Sequence, residues 1–203
     1  MEWPGFCPAV YNDDPAARAG QEVPVKALLA LSGLIDRINE FFGRIGEYLV
    51  LLCALVSAFN ALIRYTFHIS SNGWLEIQWY MFAFIVLLGA SYTLKKNEHV
   101  RVDLIYGAIS DRARLWVDLF GIIVFLLPFS IYCAWLNWPV FVLSWQQGEV
   151  SQNAGGLIRW PVKLMLTAGF ALLALQGISE LIKRIAALRG MITLETKYEK
   201  PLQ

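Results

Sequence analysis

Four long stretches of the sequence lack charged residues altogether. They cover residues 48–63, 77–94, 119–148 and 164–179, in a chain of 203 residues of which 57% are hydrophobic and only 16% charged. A helix rises about 1.5 Å per residue, and about 20 apolar residues cross the hydrocarbon core of a bilayer. Because that core offers no water to backbone groups, each stretch is predicted to be helical. The sequence therefore predicts an all-α membrane protein with four transmembrane helices.

The chain also lacks the residues that most cofactor and nucleic-acid sites require. Its only histidines, His68 and His99, lie outside the charge-free stretches, which excludes haem held between two membrane-embedded histidines. The three cysteines form no CxxC pair and no metal-ligand cluster, and a net charge of +1 leaves no basic patch for nucleic acid. No charge lies in the middle of a predicted span, which argues against an enzyme, a proton relay or a small drug exchanger. Neither a cofactor nor a metal is predicted.

Positive charge is distributed unevenly between the predicted loops. Of the 17 Lys and Arg residues, only Arg64, Arg159 and Lys163 fall in the first and third loops. The others fall before the first span, in the second loop and in the tail. Since cytoplasmic segments carry the excess of Lys and Arg, both termini are predicted to face the cytoplasm. The first and third loops then face the outside, which in a Gram-negative bacterium is the periplasm.

The pattern along the chain predicts four regions. Residues 1–24 contain four prolines and are predicted to be a disordered arm. Residues 25–44 alternate apolar and polar faces at three- and four-residue steps, which predicts an N-terminal amphipathic helix. That helix either lies flat in the cytoplasmic interface, the reading we favour, or covers a groove on a partner. The transmembrane domain covers residues 45–187, with spans at about 45–67, 74–94, 116–145 and 162–185, and residues 188–203 form a cytoplasmic tail.

Three features within the spans carry further expectations. The third span is longer than the bilayer requires, and Pro128 and Pro139 predict kinks in it. Gly89 predicts close approach of another helix. The few polar side chains at depth, among them Ser91 and Gln176, are predicted to form hydrogen bonds between helices.

Two loops concentrate the polar residues. The inner loop, residues 95–103, alternates charges that either pair locally or are solvated. The outer loop, residues 149–161, contains the flexible pair Gly155-Gly156, and Trp160-Pro161 can begin the fourth span because proline is tolerated in a first turn. This loop is either a surface for an external partner or a plain connection, and physical chemistry alone favours neither.

Several of these residues resemble, in order, the small permease (Q) subunit of the TRAP transporters (tripartite ATP-independent periplasmic transporters). The segment at residues 98–103 reads Glu-His-Val-Arg-Val-Asp and resembles the family's His-hydrophobic-x-Val-Asp signature. The other matching residues are Arg64 at the end of span one, Trp74 and Glu76 at the start of span two, and Glu149, Ser151 and Trp160-Pro161 before span four. The resemblance covers about residues 40–187 and is greatest to the branch labelled mannitol/chloroaromatic or 2-oxoacid transport. One departure is that Ile77 follows Glu76, where the family often has a second acid.

The resemblance implies a non-enzymatic function in the bacterial inner membrane. In this family a periplasmic binding (P) protein captures an organic acid, and a large multi-span (M) subunit carries it inward with sodium ions. The Q subunit braces the large subunit in the lipid bilayer and contributes to docking of the binding protein. The residues expected at subunit interfaces or in structural roles are Arg64, Trp74, Glu76, His99, Arg101 and Asp103. Those expected in the docking loop are Glu149, Ser151, Asn153, Arg159 and Trp160.

Two alternatives to the Q subunit remain open at this point. A free-standing small carrier or channel would move a solute without any other chain. A membrane anchor for an oxidoreductase would hold a bound cofactor.

Overall fold

The computed structural model describes residues 10–11, 22–69, 71–97 and 109–193. Its helices are α1 (Glu22–Phe67), α2 (Asn72–Lys96), α3 (Asp111–Gly121), α4 (Leu127–Gln147) and α5 (Trp160–Leu188), and a π-helical turn (Ile122–Leu126) joins α3 to α4. Two short strands, β1 (Val10–Tyr11) and β2 (Ile192–Thr193), pair antiparallel. The inner-loop residues His99, Arg101 and Asp103 lie outside the described residues, as does the predicted arm apart from β1 and residues 22–24.

Within the described residues, four helical runs are long and apolar enough to cross a membrane. They are Ala27–Phe67, Asn72–Lys96, Arg112–Gln147 and Trp160–Leu188, each overlapping one predicted span. The all-helical fold with four membrane-spanning helices is therefore confirmed, while the orientation of the termini stays a prediction. We call the end of the bundle that holds residues 68–71 and 148–159 the loop end, and the opposite end the network end.

Helix α1 continues without interruption through residue 45, where the sequence predicted a boundary. Its 46 residues would extend for about 69 Å, because nothing between Pro24 in the first turn and Phe67 breaks the helix. The amphipathic segment 25–44 and the first span are thus parts of one continuous helix. The faces of this segment are also unlike those of a surface helix in water: Leu34 and Phe41 are exposed, whereas Ser32 and Asn39 are buried.

The third span is interrupted at the position that its first proline predicts. Pro128 has no N–H, and in a regular α-helix its ring would press on the carbonyl of residue 124. The widened π-helical turn lies immediately before this proline, and the Ser130 hydroxyl donates to the Leu126 carbonyl at 2.6 Å. Pro139, by contrast, lies inside regular helix α4.

Helix α5 is the centre of the bundle, since it contacts α1, α2, α3 and α4. Its glycines make this possible, because a Cβ at Gly169 would lie 2.6 Å from the Leu87 carbonyl oxygen of α2. The predicted close approach at Gly89 is wrong for the part of the chain that the structure describes, where nothing lies within 4 Å of a Cβ built there. The glycine at the close contact between α2 and α5 is Gly169 of α5 and not Gly89 of α2.

Candidate functional site

Glu76 organises the loop end of the bundle. It lies in the first turns of α2 and is only 5% exposed, and its carboxylate accepts hydrogen bonds from the loop that precedes α5. Oε1 accepts hydrogen bonds from the Ser151 hydroxyl and from Asn153 Nδ2 at 2.8 Å, and Oε2 accepts one from the Leu157 N–H at 2.7 Å. One buried carboxylate therefore fixes three points of a surface loop.

The loop itself is a short hairpin, which we call the 149–159 hairpin. Its backbone bonds run from Ser151 N–H to Leu157 O and from Arg159 N–H to Glu149 O, both at 2.9 Å. Gly155 adopts the left-handed conformation (φ 72°) at the tip, where glycine carries no steric cost. The tip rests on the start of α2, because a Cβ at Gly73 would lie 3.1 Å from the Gly155 carbonyl oxygen.

A second carboxylate joins the base of the hairpin to α5. Glu149 forms ion pairs with Lys163, in the first turn of α5, and with Arg159 Nη1 at 3.5 Å. The Lys163 ammonium, through its hydrogen bond, is the main cause that holds the pKa of Glu149 below its ordinary value of 4.5, and Arg159 adds to the effect. The pair is partly solvated, so its contribution to stability is modest compared with its effect on the position of the hairpin.

Aromatic side chains complete the loop end. Trp145 at the end of α4 and Trp160 at the start of α5 meet edge to face, with ring centroids 4.4 Å apart. The Tyr80 hydroxyl donates to the Ile158 carbonyl at 3.0 Å and so ties α2 to the hairpin a second time. The hairpin is therefore held by α2, α4 and α5 together.

A separate set of polar side chains, which we call the polar network, connects α1 to α5 at the other end. Asn39 Nδ2 donates to Gln176 Oε1 at 2.7 Å, and Gln176 Nε2 donates to Asp36 Oδ1 at 3.0 Å and to Glu180 Oε1 at 3.2 Å. The hydroxyls of Ser32 and Ser179 lie 2.7 Å apart, and Ser179 also donates to Asp36 at 2.9 Å. Asn39 and Gln176 are completely buried.

Alternating charges extend the polar network to the other helices. On one side Lys183 pairs with Asp36 at 2.6 Å, and Arg184 pairs with Glu180 and with Asp118 of α3 at 3.2 Å. On the other side Lys95 of α2 pairs with Glu40 at 2.9 Å, and Arg44 pairs with Glu40 at 2.6 Å. Among the described residues, four acids thus meet four bases in the polar network. Its members hold the helices together.

The structure brings together two groups of residues that the sequence assigned to different roles. Glu76, predicted to be structural, binds Ser151 and Asn153 of the predicted docking loop. Arg64 and Trp74 lie at the same end but contribute exposed side chains, and no ion pair of Arg64 occurs within the described part of the chain.

Sequence reasoning missed most of the polar network. It identified Gln176 as an interhelical hydrogen-bonding residue, and that prediction is confirmed; Ser91 instead donates to the Leu88 carbonyl of its own helix. A signal was present in the spacing: polar residues at 32, 36 and 39 on α1, and at 176, 179, 180 and 183 on α5, recur at three- and four-residue steps. Two complementary polar stripes on apolar helices predict that the stripes face each other.

Comparisons with known proteins agree on one family. The model of the family described as tripartite ATP-independent periplasmic transporters, DctQ component, matches residues 40–187. The chain is 30% identical over 114 residues to the C4-dicarboxylate TRAP transporter small permease protein DctQ of Vibrio cholerae serotype O1. That match covers 53% of this chain and 49% of the relative, so the aligned region spans about half the length of each. No solved structure matches the chain.

Proposed function

The chain belongs to the DctQ component family of tripartite ATP-independent periplasmic transporters, and from this membership we propose that it is the small membrane subunit of such a transporter. The family is a transporter component and not an enzyme. Its partners are then a large multi-span permease subunit and a periplasmic binding protein. The observation that carries the proposal is the family match across residues 40–187, which includes α2, the 149–159 hairpin and nearly all of α5.

We propose a division of labour between the two ends of the bundle. The loop end faces the periplasm and contributes the hairpin to docking of the binding protein. The network end faces the cytoplasm and fixes α1 against α5, so that the bundle braces the large subunit as one unit. The uneven distribution of Lys and Arg supports this orientation in the inner membrane.

The substrate is proposed to be an organic acid carried inward with sodium ions by the large subunit. The relative's name specifies a C4-dicarboxylate. Assignment to the mannitol/chloroaromatic or 2-oxoacid branch stays a prediction.

Roles for the remaining predicted residues follow from where they lie. Arg64 and Trp74 are exposed, so their proposed role is contact with another chain or with the membrane surface. For His99, Arg101 and Asp103 we keep the proposal that they fix the inner loop or its contact with the large subunit. The variant Asp103→Lys is expected to lower the yield of complex that co-purifies with the large subunit, and an unchanged yield would refute that role.

Deletion tests the proposed function. Cells that lack this chain but retain the large subunit and the binding protein are expected to lose uptake of the transported acid, and the wild-type chain supplied from a plasmid restores it. The tagged chain is expected to co-purify with a large permease. Normal uptake after deletion, with no permease in the purified material, would contradict the proposal.

A further inference from the structure

The exposed side of α1 carries an apolar stripe where the helix crosses α5. Its four side chains recur at three- and four-residue steps and so share one face of the helix. They are 39% to 62% exposed: Leu31, Leu34, Ile38 and Phe41. The other side of this segment is occupied, because Ser32 and Asn39 are buried in contacts with α5. Within the described residues, the apolar stripe is thus the side of α1 that stays open to its surroundings.

The contacts between α1 and α5 place the apolar stripe at the depth of the lipid chains. Asn39 contacts Gln176, which lies 16 residues, or about 24 Å of helix, after Trp160 at the loop end. Ser32 contacts Ser179, which lies only about 5 Å further along α5, although seven residues of α1 span about 10 Å. Helix α1 therefore crosses α5 obliquely and does not extend straight out of the bundle. A hydrocarbon core about 30 Å thick that begins near Trp160 includes this crossing and ends just beyond it.

Two exposed arginines border the apolar stripe. Arg37 and Arg44 are seven residues apart, which is two helical turns, so they lie one above the other along one edge of the stripe. Arg37 forms no ion pair with another described residue, and Arg44 pairs with Glu40 while its side chain stays 68% exposed. The apolar stem of an arginine lies along apolar surface while its guanidinium reaches the polar boundary of the membrane. There a guanidinium binds phosphate oxygens with two parallel hydrogen bonds.

From this arrangement we propose that the apolar stripe, together with Arg37 and Arg44, binds an anionic phospholipid. The acyl chains cover the four apolar side chains, and the phosphate group bonds to Arg37 with support from Arg44. Phospholipid phosphates lie at the edge of the hydrocarbon core, which is the depth that the crossing of α1 and α5 reaches. Assignment of the lipid to the inner leaflet rests on the orientation given under the proposed function, whereas the contact with lipid does not.

Spin labels test what covers the apolar stripe. A chain whose three native cysteines are replaced by serine receives Leu34→Cys or Phe41→Cys, and the labelled chain is placed in nanodiscs with any subunit that co-purifies. Contact with lipid predicts frequent collisions with oxygen and protection from a water-soluble nickel chelate. Ala154→Cys, at the exposed tip of the 149–159 hairpin, is the control that the chelate is expected to reach. Access of the chelate to the stripe would place it in water, and protection from both reagents would place it against protein; either result overturns the inference.

Charge variants test the phosphate contact. Native mass spectrometry compares the retention of phosphatidylglycerol and phosphatidylcholine with identical acyl chains. A basic side chain near anionic lipid strengthens binding about fivefold, so Arg37→Gln is expected to lower the preference for phosphatidylglycerol by about that factor, and Arg37→Lys to retain most of it. Arg44→Gln is expected to have a smaller effect, because Glu40 already shares that guanidinium.

A matched arginine separates this site from general attraction to anionic lipid. Arg112 is exposed at the same end of the bundle but belongs to α3, so Arg112→Gln is expected to change the preference much less than Arg37→Gln does. A preference for phosphatidylglycerol that survives Arg37→Gln, or that falls equally in Arg112→Gln, overturns the phosphate contact. Neither result bears on whether the chain supports transport, which the deletion experiment tests separately.

Discussion

Replacement of Gln176 by leucine is the perturbation that the structure predicts most sharply. Gln176 is completely buried and joins α1 to α5 through Asn39 and Asp36. Leucine has a similar volume, so the change leaves little cavity and chiefly removes hydrogen bonds. The carboxylates of Asp36 and Glu180 keep their lysine and arginine partners after the change, but the buried Asn39 Nδ2 loses the hydrogen bond that it donates to Gln176.

The magnitude follows from those losses. Hydrogen bonds between membrane helices contribute about 0.6 kcal/mol each on average, and three are removed. Leaving the Asn39 amide buried without a partner costs about 1–3 kcal/mol more. We therefore expect Gln176→Leu to lower the free energy of unfolding by about 3–5 kcal/mol, which is a change of roughly a hundred- to a few-thousandfold in the folding equilibrium.

The assay is reversible unfolding in mixed micelles of dodecyl maltoside and SDS, followed by circular dichroism. Gln78→Leu is the matched control, because the Gln78 Nε2 is buried and finds no partner within the described residues. The control is expected to be neutral or stabilising, since it removes a polar group that gains nothing from burial. The double variant Asn39→Leu/Gln176→Leu is expected to recover about 1 kcal/mol relative to the sum of the single changes, because no amide is then orphaned. A Gln176→Leu protein within about 0.5 kcal/mol of wild type would refute the reasoning.

Three further predictions concern the hairpin and the helix contacts. Glu76→Leu removes both acceptor oxygens of the Ser151, Asn153 and Leu157 donors, so hydrogen exchange of the Leu157 amide is expected to accelerate roughly tenfold or more; an unchanged rate would show that other contacts hold the hairpin. The pKa of Glu149 is lowered in the folded protein, so the stabilisation that this carboxylate contributes is present above about pH 4.5 and is lost as the pH falls through its pKa in the folded state. Thermal unfolding measured between pH 6 and pH 3 is expected to show this loss. The variant Glu149→Gln is expected to remove that part of the pH dependence. Gly169→Ala is expected to lower the free energy of unfolding by about 1–3 kcal/mol because the added methyl group forces α5 away from the Leu87 carbonyl. Gly121→Ala is expected to change the free energy of unfolding little, because a Cβ at that position meets open space. Equal effects of the two variants in the same SDS assay would contradict the assigned contact.

Hydropathy and charge predicted the four spans because these signals are local. Three of the charge-free stretches each lie within one helix, while residues 119–147 run through α3, the π-helical turn and α4, and Pro128 marks the interruption of the third span. Trp160-Pro161 likewise marked the start of α5, which begins at Trp160. The residues predicted to form the docking loop are recognisable as a group because they lie within twelve consecutive positions of the sequence.

Tertiary partners were much harder to predict, because they depend on helix rotation and crossing. Glu76 and Ser151 are 75 positions apart in sequence, and nothing local indicates that one binds the other. The amphipathic helix at residues 25–44 is predicted from sequence to lie flat in the membrane interface, with its apolar side buried and its polar side facing water. In a membrane the apolar side faces lipid equally well, which leaves the polar side free to pack on α5. Deciding between these orientations requires knowing that α5 carries a complementary polar stripe.

Transport by reconstituted protein tests the central claim most directly. The proposed function is that this chain supports a solute carrier without moving solute itself. Liposomes that contain the purified chain alone are predicted to take up none of the transported acid across a sodium gradient, whereas liposomes that contain it with the large subunit and the added binding protein take it up. Sodium-driven uptake by the chain alone would contradict the account.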